Sequence, residues 1–259
     1  MRPEFIHEDS DSLLQSPIAD FSYDIVIRKI GDPVQLGFVG PRENWIDDQI
    51  QRYFQVIDGP SIWQYTDESR QYITLASRAS LPAGASIDYW IRGAGRVMGL
   101  ALRYDVAMGV PFAPSFMKLL RLLHDPTLDI EAHLSEEDPR FLQSVKWIRE
   151  INWTKELPAT VTWTTFDELK PNGDSISLSK DNWEEYLALR MEKKLVWDNH
   201  ESMQIFKAGV FDVVGHGIFG LLTEEELEAR LRPSPNGLTS EKLWNGIQWR
   251  KFQPGNFKV

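Results

Sequence analysis

The stretch "DYWIRGAGRVMGLALRYDVAMGV" (residues 88–110) sets Gly93, Gly95 and Gly99 inside an otherwise strongly apolar run. A dinucleotide-binding loop needs a buried strand, a tight glycine turn and then a helix whose first amides face the phosphates. The residues before Gly93 read "ASIDYWIR", with Ile87, Trp90 and Ile91 at i, i+3 and i+4. That is helical spacing. The glycines therefore fall within a helix, Gly95 and Gly99 on one face. Glycine costs up to about 1 kcal/mol per helical site relative to alanine, so several in one helix predict a neighbouring element packed unusually close.

The 259 residues are 42% hydrophobic, enough to bury one large domain or two small subdomains packed together. A formal net charge of -10 disfavours nucleic acid as partner, because that affinity rests on Lys and Arg displacing counterions. It is compatible with a basic protein partner. The chain has no cysteine, which removes disulfides, thiolate metal sites and cysteine nucleophiles together. The first residues are acidic where a secretory leader needs a basic region, and no window approaches the 18 or so apolar residues of a membrane span. The expectation is an intracellular protein of the cytoplasm or nucleus, with no membrane partner.

Residues 1–20 are polar and unpatterned, as in an arm. "YDIVIRKI" (23–30) alternates as a strand does, and "RENWIDDQIQRYFQVI" carries apolar residues at helical spacing. "SIWQYTDESRQYITLAS" (61–77) predicts two short extended runs around a polar turn. Helices come next in "PSFMKLLRLL" and in "DPRFLQSVKWIREI" (138–151), where Asp138 can cap and Pro139 suits the first helical position. "LPATVTWTTFDELKPNGDSISLS" (157–179) switches to alternation and predicts a small β element. "DNWEEYLALRMEKKL" predicts a helix capped by Asp181, with Trp183, Leu187, Met191 and Leu195 as a stripe. "ESMQIFKAGVFDVV" and "TEEELEARL" add two more, the last opening on the capping box Thr223 to Glu226. The pattern is α+β and mainly helical.

Tests for chemistry give little. Each of the Gly-x-Ser sites, at Ser61, Ser86 and Ser175, lacks the second glycine of a nucleophile elbow, and turn positions explain them better. The five histidines (His7, His124, His133, His200, His216) form no helical i, i+4 pair, so no metal or other cofactor is expected. The acidic runs "SEEDP" and "TEEEL" read as solvated groups at helix starts. Ten tryptophans sit mostly in periodic runs, which favours core burial over a stacking platform.

The helix at 138–151 is different. Phe141, Val145, Ile148 and Ile151 line one side, while Leu142 and Trp147 point elsewhere. Two apolar directions exceed what a simple surface helix requires. Periodicity alone favours a helix buried on both sides; the alternative gives one direction to the core and the other to a partner.

Several stretches, in chain order, resemble the amino-terminal lobe of HECT-type ubiquitin ligases. "IRGAGRVMGLALRYDVAMGVPFAPSFMKLL" resembles the long helix and the helix after it. "VGPRENW" is similar to a Gly-Gly-Pro-x-Arg-Glu-Phe signature, "IWQYTDESRQYITL" to the family hairpin and "DPRFLQSVKWIREI" to an Asp-Pro-x-x-x-x-Ser-Leu-x-Trp-Ile helix. "ELKPNGDSISLSKDNWEEYLALRMEKKL", "FKAGVFDVV" and "LTEEELEARL" resemble later segments of the same lobe, so the matches keep family order over about residues 23–231. "RPSPNGLTSEKLWNGIQWRKF" matches only faintly.

The resemblance implies a large helical subdomain, 21–125 and 183–259, with a smaller inserted subdomain, 126–182, that docks a ubiquitin-conjugating enzyme. Carried over by position, Phe141, Val145, Ile148, Ile151 and Tyr186 fall at contacts to that enzyme, and Leu157 is a looser match on the same surface. Family members often carry Leu and Tyr where Phe, Val and Ile stand here, so the groove stays apolar but changes shape. In the family, ubiquitin passes as a thioester to a cysteine on a separate carboxy-terminal lobe. Without a thiolate this polypeptide alone is expected to form no such intermediate. The alternative implied role is a non-catalytic scaffold that binds ubiquitin or another protein. The docking role requires the apolar ridge of 138–151 to be open to water.

Overall fold

The computed structural model describes Leu14 and residues 40–56, 61–122, 128–151, 169–173, 176–217 and 222–231. Among these, helix α1 (Gly40–Tyr53) leads into a hairpin of β1 (Trp63–Tyr65) and β2 (Ile73–Leu75), and then into the long helix α2 (Ala85–Tyr104). Helices α3 (Pro114–Arg121), α4 (Ile130–Glu137) and α5 (Pro139–Arg149) come next in short steps. Helix α6 (Trp183–Glu192) runs through a π-helical turn, Lys193–Trp197, into α7 (Asp198–Val214), and α8 (Glu224–Leu231) closes the set. The architecture is α+β and mainly helical, as the periodicity predicts. The expected strand at 23–30 and the β element of 157–179 through residue 168 lie outside the described residues.

Helices α2 and α7 make the most extensive contact in the fold, and glycine is the reason. A Cβ on Gly95 would run into the carbonyl oxygen of Phe206, and one on Gly209 would run into the carbonyl of Arg92. A Cβ on Gly99 would sit 2.8 Å from the Cβ of Val213, and one on Gly93 would sit 2.8 Å from Cε1 of Tyr53. The glycine run is thus a packing seam: its amides are spent within a helix, and it is no phosphate cradle. One end of this seam is fastened by charge. The Arg92 guanidinium donates to both carboxylate oxygens of Asp212 at 2.8 Å, and Arg96 donates to Asp212 Oδ2 at 2.7 Å. Arg96 is almost wholly buried.

Burial pushes the Asp212 carboxyl up, but the hydrogen bonds and charges of the two arginines prevail and hold it below its ordinary value of 3.8. Arg96 also donates to the carbonyl oxygen of Leu14 at 2.7 Å. Leu14 is helical and fully buried in the main core, so at this residue the expected unpatterned arm is instead anchored. Nothing in the spacing around Leu14 points to a buried arginine.

Around the seam Trp63, Phe112, Phe116 and Phe206 interlock. The Phe112 and Phe116 rings stack at 4.6 Å, and Trp63 meets Phe206 edge-on at 5.7 Å. Trp63 also satisfies its indole N–H on the Tyr53 carbonyl at 2.6 Å, as a buried tryptophan must. Trp147 and Trp197 depart from the expectation of burial, each about half exposed. The hairpin pairs Trp63 with Leu75 and Tyr65 with Ile73, and Ile73 bridges in parallel to Phe112.

Three local expectations change. Helices α6 and α7 are continuous, since no Gly or Pro separates Glu192 from Asp198. The π turn re-phases the faces so that Leu195 and Val196 enter the main core, whereas Leu187 lies in a second, smaller one. Asp181 does not cap α6: Asn182 occupies that position, and its side chain accepts from the Ser179 amide instead. Glu137 of "SEEDP" ends α4 rather than opening a helix, and it is 4% exposed. Its carboxylate accepts from the Ser115 amide at 2.6 Å and hydroxyl at 2.8 Å, a buried partnership invisible to a reading of adjacent charges. The capping box of α8 forms as expected, Thr223 and Glu226 each accepting the other's amide.

Helix propensity alone favours Gly95→Ala by up to about 1 kcal/mol. The seam reverses the sign. Gly95→Ala and Gly209→Ala each destabilise the chain by about 3 kcal/mol in urea unfolding, because the obstructing atoms are backbone. Asp212→Asn costs about 3 kcal/mol at neutral pH by leaving two arginines short of charge. The folded carboxyl is depressed, so its stabilisation is complete above the unfolded value and is lost as pH falls through the folded one. The gap between the native chain and Asp212→Asn therefore narrows below about pH 4, which urea titrations across pH 2.5–7 (roughly the carboxylate range) measure.

Candidate functional site

Helix α5 begins where Asp138 accepts the Phe141 amide at 3.0 Å and Pro139 takes a first-turn position that needs no donor. Its buried residues fall at steps of three: Leu142, Val145 and Ile148. These meet Tyr186 and Leu187 of α6 and Leu178 to form the smaller core. Val145 is fully buried, Ile148 is 6% exposed and Tyr186 is 2% exposed. Three of the six residues expected at a docking surface are therefore sealed inside the molecule, and the reading that exposes them is corrected.

The physical reason is demand for a core. A short pair of helices has few large apolar groups, and burying each gives roughly 1.5–3 kcal/mol. The same face cannot also serve a partner. Leu142, expected to point away from Val145, joins it. The Tyr186 hydroxyl is in turn met by the Arg190 guanidinium, so even its polar end has a partner within the chain.

Phe141 and Ile151 are half-buried. Phe141 packs against both cores, with the Arg190 guanidinium 5.7 Å and the Lys194 ammonium 5.9 Å from its ring centre. It is a hinge-pin between the cores more than a free surface. Ile151 comes just after the helix end, its amide donating to the Ile148 carbonyl at 3.3 Å. Leu157 lies outside the described residues.

The outer face of α5 carries what the ridge does not. Trp147 is 56% exposed, flanked by exposed Gln143, Ser144, Lys146 and Glu150. Beside it Arg149 grips Glu131 of α4 with two hydrogen bonds of 2.8 Å. That hydrogen bonding, more than charge alone, holds the Glu131 carboxyl below its usual range. The pair ties α5 to α4. The periodicity discards Trp147 as off the stripe; its isolation among polar neighbours is the signal that could have found it, since a large aromatic left in water is a frequent interface feature.

Among the described residues no three His, Cys, Asp or Glu side chains gather as a metal site, and no helix is long and apolar enough to cross a membrane.

Known proteins supply the remaining context. Over 158 residues, 57% of the chain, it is 30% identical to the E3 ubiquitin-protein ligase HECW2 of Homo sapiens, and the match covers 10% of that protein. It is 28% identical over 155 residues to the E3 ubiquitin-protein ligase HACE1 of Danio rerio, covering 56% of the chain and 17% of the relative. With the E3 ubiquitin-protein ligase HUWE1 of Mus musculus the identity is 22% over 174 residues, 64% of the chain and 4% of the relative. The chain thus spans only a small fraction of the length of these relatives. The family model for the HECT-domain (ubiquitin-transferase) matches residues 49–256, which takes in the glycine seam, the smaller core and all of α5. The chain belongs to the HECT-domain family.

Proposed function

We propose that this chain acts as the amino-terminal lobe of a HECT-type ubiquitin ligase, receiving a ubiquitin-conjugating enzyme on the smaller of its two cores. Ubiquitin is then passed to a cysteine on a part of the protein outside this sequence, since the chain itself holds no thiol and thioester exchange needs one. The chain's contribution is to hold the donor in place.

The observation that carries the docking surface is Trp147, 56% exposed on a helix whose opposite face is spent on the core. Val145, Ile148 and Tyr186 support that helix from behind. Ile151 follows the end of the same helix and Phe141 sets its near end, and Leu157 belongs to the proposed surface by resemblance alone. A single exposed tryptophan ringed by polar side chains suits an interface of modest affinity, in which one aromatic anchor supplies most of the binding energy. Lys146 and Glu150 beside it influence which enzyme is accepted more than how tightly it binds.

The test is calorimetric titration of the chain with a broad panel of conjugating enzymes, charged and uncharged. At least one binds, and Trp147→Ala weakens it about thirtyfold, a hot-spot loss of about 2 kcal/mol, without moving the unfolding midpoint. Ile148→Ala instead lowers stability by about 2–4 kcal/mol. Failure of every enzyme in the panel to bind rejects the docking role. Capture of ubiquitin with no conjugating enzyme assigns a scaffold role in its place.

A further inference from the structure

A polar cleft of about 210 Å³ lies where the hairpin, the first turn of α3, the end of α4 and the start of α7 meet. It is larger than the roughly 150 Å³ that accommodates a benzene-sized guest. Gln64 and Ser80 on its lining are exposed, so it is reachable from solvent. No part of the docking surface above lies in it.

Several donors of its wall are engaged: Lys194 pairs with Asp138 at 3.2 Å, the Gln64 amide donates to the Leu75 carbonyl at 3.5 Å and Ser80 to the Ser77 carbonyl at 2.7 Å. Ser115 donates to Glu137, and the Asn199 amide donates to Thr74 Oγ1 at 3.5 Å. One acceptor is left over: Asn199 is 4% exposed, yet its Oδ1, which can only accept, has no partner, and the buried Thr66 hydroxyl beside the cleft has none either. A buried carbonyl oxygen left without a donor costs about 1–3 kcal/mol, so an amide held in this way marks a place where a donor from outside fits.

Charge points the same way. Among the described residues the wall carries three carboxylates, Glu137, Asp138 and Asp198, against one cation, Lys194. Asp198 is paired from outside the cleft by Lys193 and Asp138 by Lys194. Among the described residues the cationic group that Glu137 meets is His133, whose Nδ1 is 3.6 Å away. A guest for this wall is a cation rich in donors and poor in acceptors.

We infer that the cleft is a receptor for a guanidinium group. Guanidinium offers five N–H donors in a plane and no acceptor, and it sheds water more readily than an ammonium. Its N–H groups supply the donor that Asn199 Oδ1 lacks, and its charge suits a wall that carries Glu137, Asp138 and Asp198. The group can belong to an arginine side chain of a partner protein or to a free small molecule, and the chemistry of recognition is the same.

The test titrates methylguanidinium and its neutral isostere N-methylurea into the full chain, with NMR as the readout. Methylguanidinium gives saturable shifts in residues of the cleft, and N-methylurea binds at least about tenfold more weakly. Lys194→Met removes the wall's lone described cation and frees Asp138, so it tightens methylguanidinium binding severalfold while leaving N-methylurea unchanged. A role confined to packing predicts no such gain. Thr66→Val, which keeps the shape and removes an acceptor, weakens binding severalfold. Tighter binding of an arginine-containing peptide than of free arginine assigns the guest to a protein partner, and the reverse order assigns a small molecule. No saturable response, equal binding of the two isosteres, or weaker binding by Lys194→Met overturns the inference.

Discussion

The fold depends on two helices approaching until only backbone separates them. Gly95 of α2 and Gly209 of α7 face the carbonyls of Phe206 and Arg92 with no room for a methyl group, and this distance fixes where everything else can stand. Helices that close exclude water from their contact, so a charged residue on the seam must find its partner within the protein. Asp212 meets that need for Arg92 and Arg96 together. The arrangement is costly to desolvate and costly to break, which makes it a device for register: α7 can neither slide nor rotate on α2 without leaving a buried guanidinium unpaired. Arg96 extends the same device to Leu14.

From the far end of α7 that register passes to the smaller core. The π turn at Lys193–Trp197 joins α7 to α6 without a break, so α6 inherits its direction from the glycine seam. Tyr186 and Leu187 on α6 then form the floor on which α5 lies. Phe141 and Met191 touch both cores, and Lys194 reaches across to the Asp138 cap of α5. The outward face of α5 and the seam of the large core thus belong to one mechanical chain, although they are made of unrelated residues.

How much of the fold is legible in the sequence depends on how local each signal is. The helix at 85–104, the hairpin around "TDESR", the Asp138–Pro139 start and the Thr223–Glu226 box each rest on contacts within a few residues, and each forms as its spacing predicts. The close approach at Gly95 and Gly99 is legible because glycine inside a helix has a cost that needs a cause. The partners are not legible. Nothing near Gly95 points to Gly209, nothing near Glu137 points to Ser115, and Leu14 gives no sign of Arg96, since each pair is separated by stretches whose geometry the fold alone decides. The error at Glu137 is typical: three acidic letters together suggest water, and one of them is turned inward by a helix end.

Apolar periodicity identifies the side of α5 that leaves water, but it does not say whether another protein or the same chain removes it. Among the described residues the smaller core is made by α5, α6 and Leu178, and it takes Leu142, Val145 and Ile148. Any partner must then use what the core rejects. On α5 that remainder is a ring of polar side chains and one tryptophan, on a helix that the Arg149–Glu131 pair ties to α4. In the proposed docking role, a helix whose inner face is already committed to the core forfeits less conformational freedom on binding than a flexible loop would.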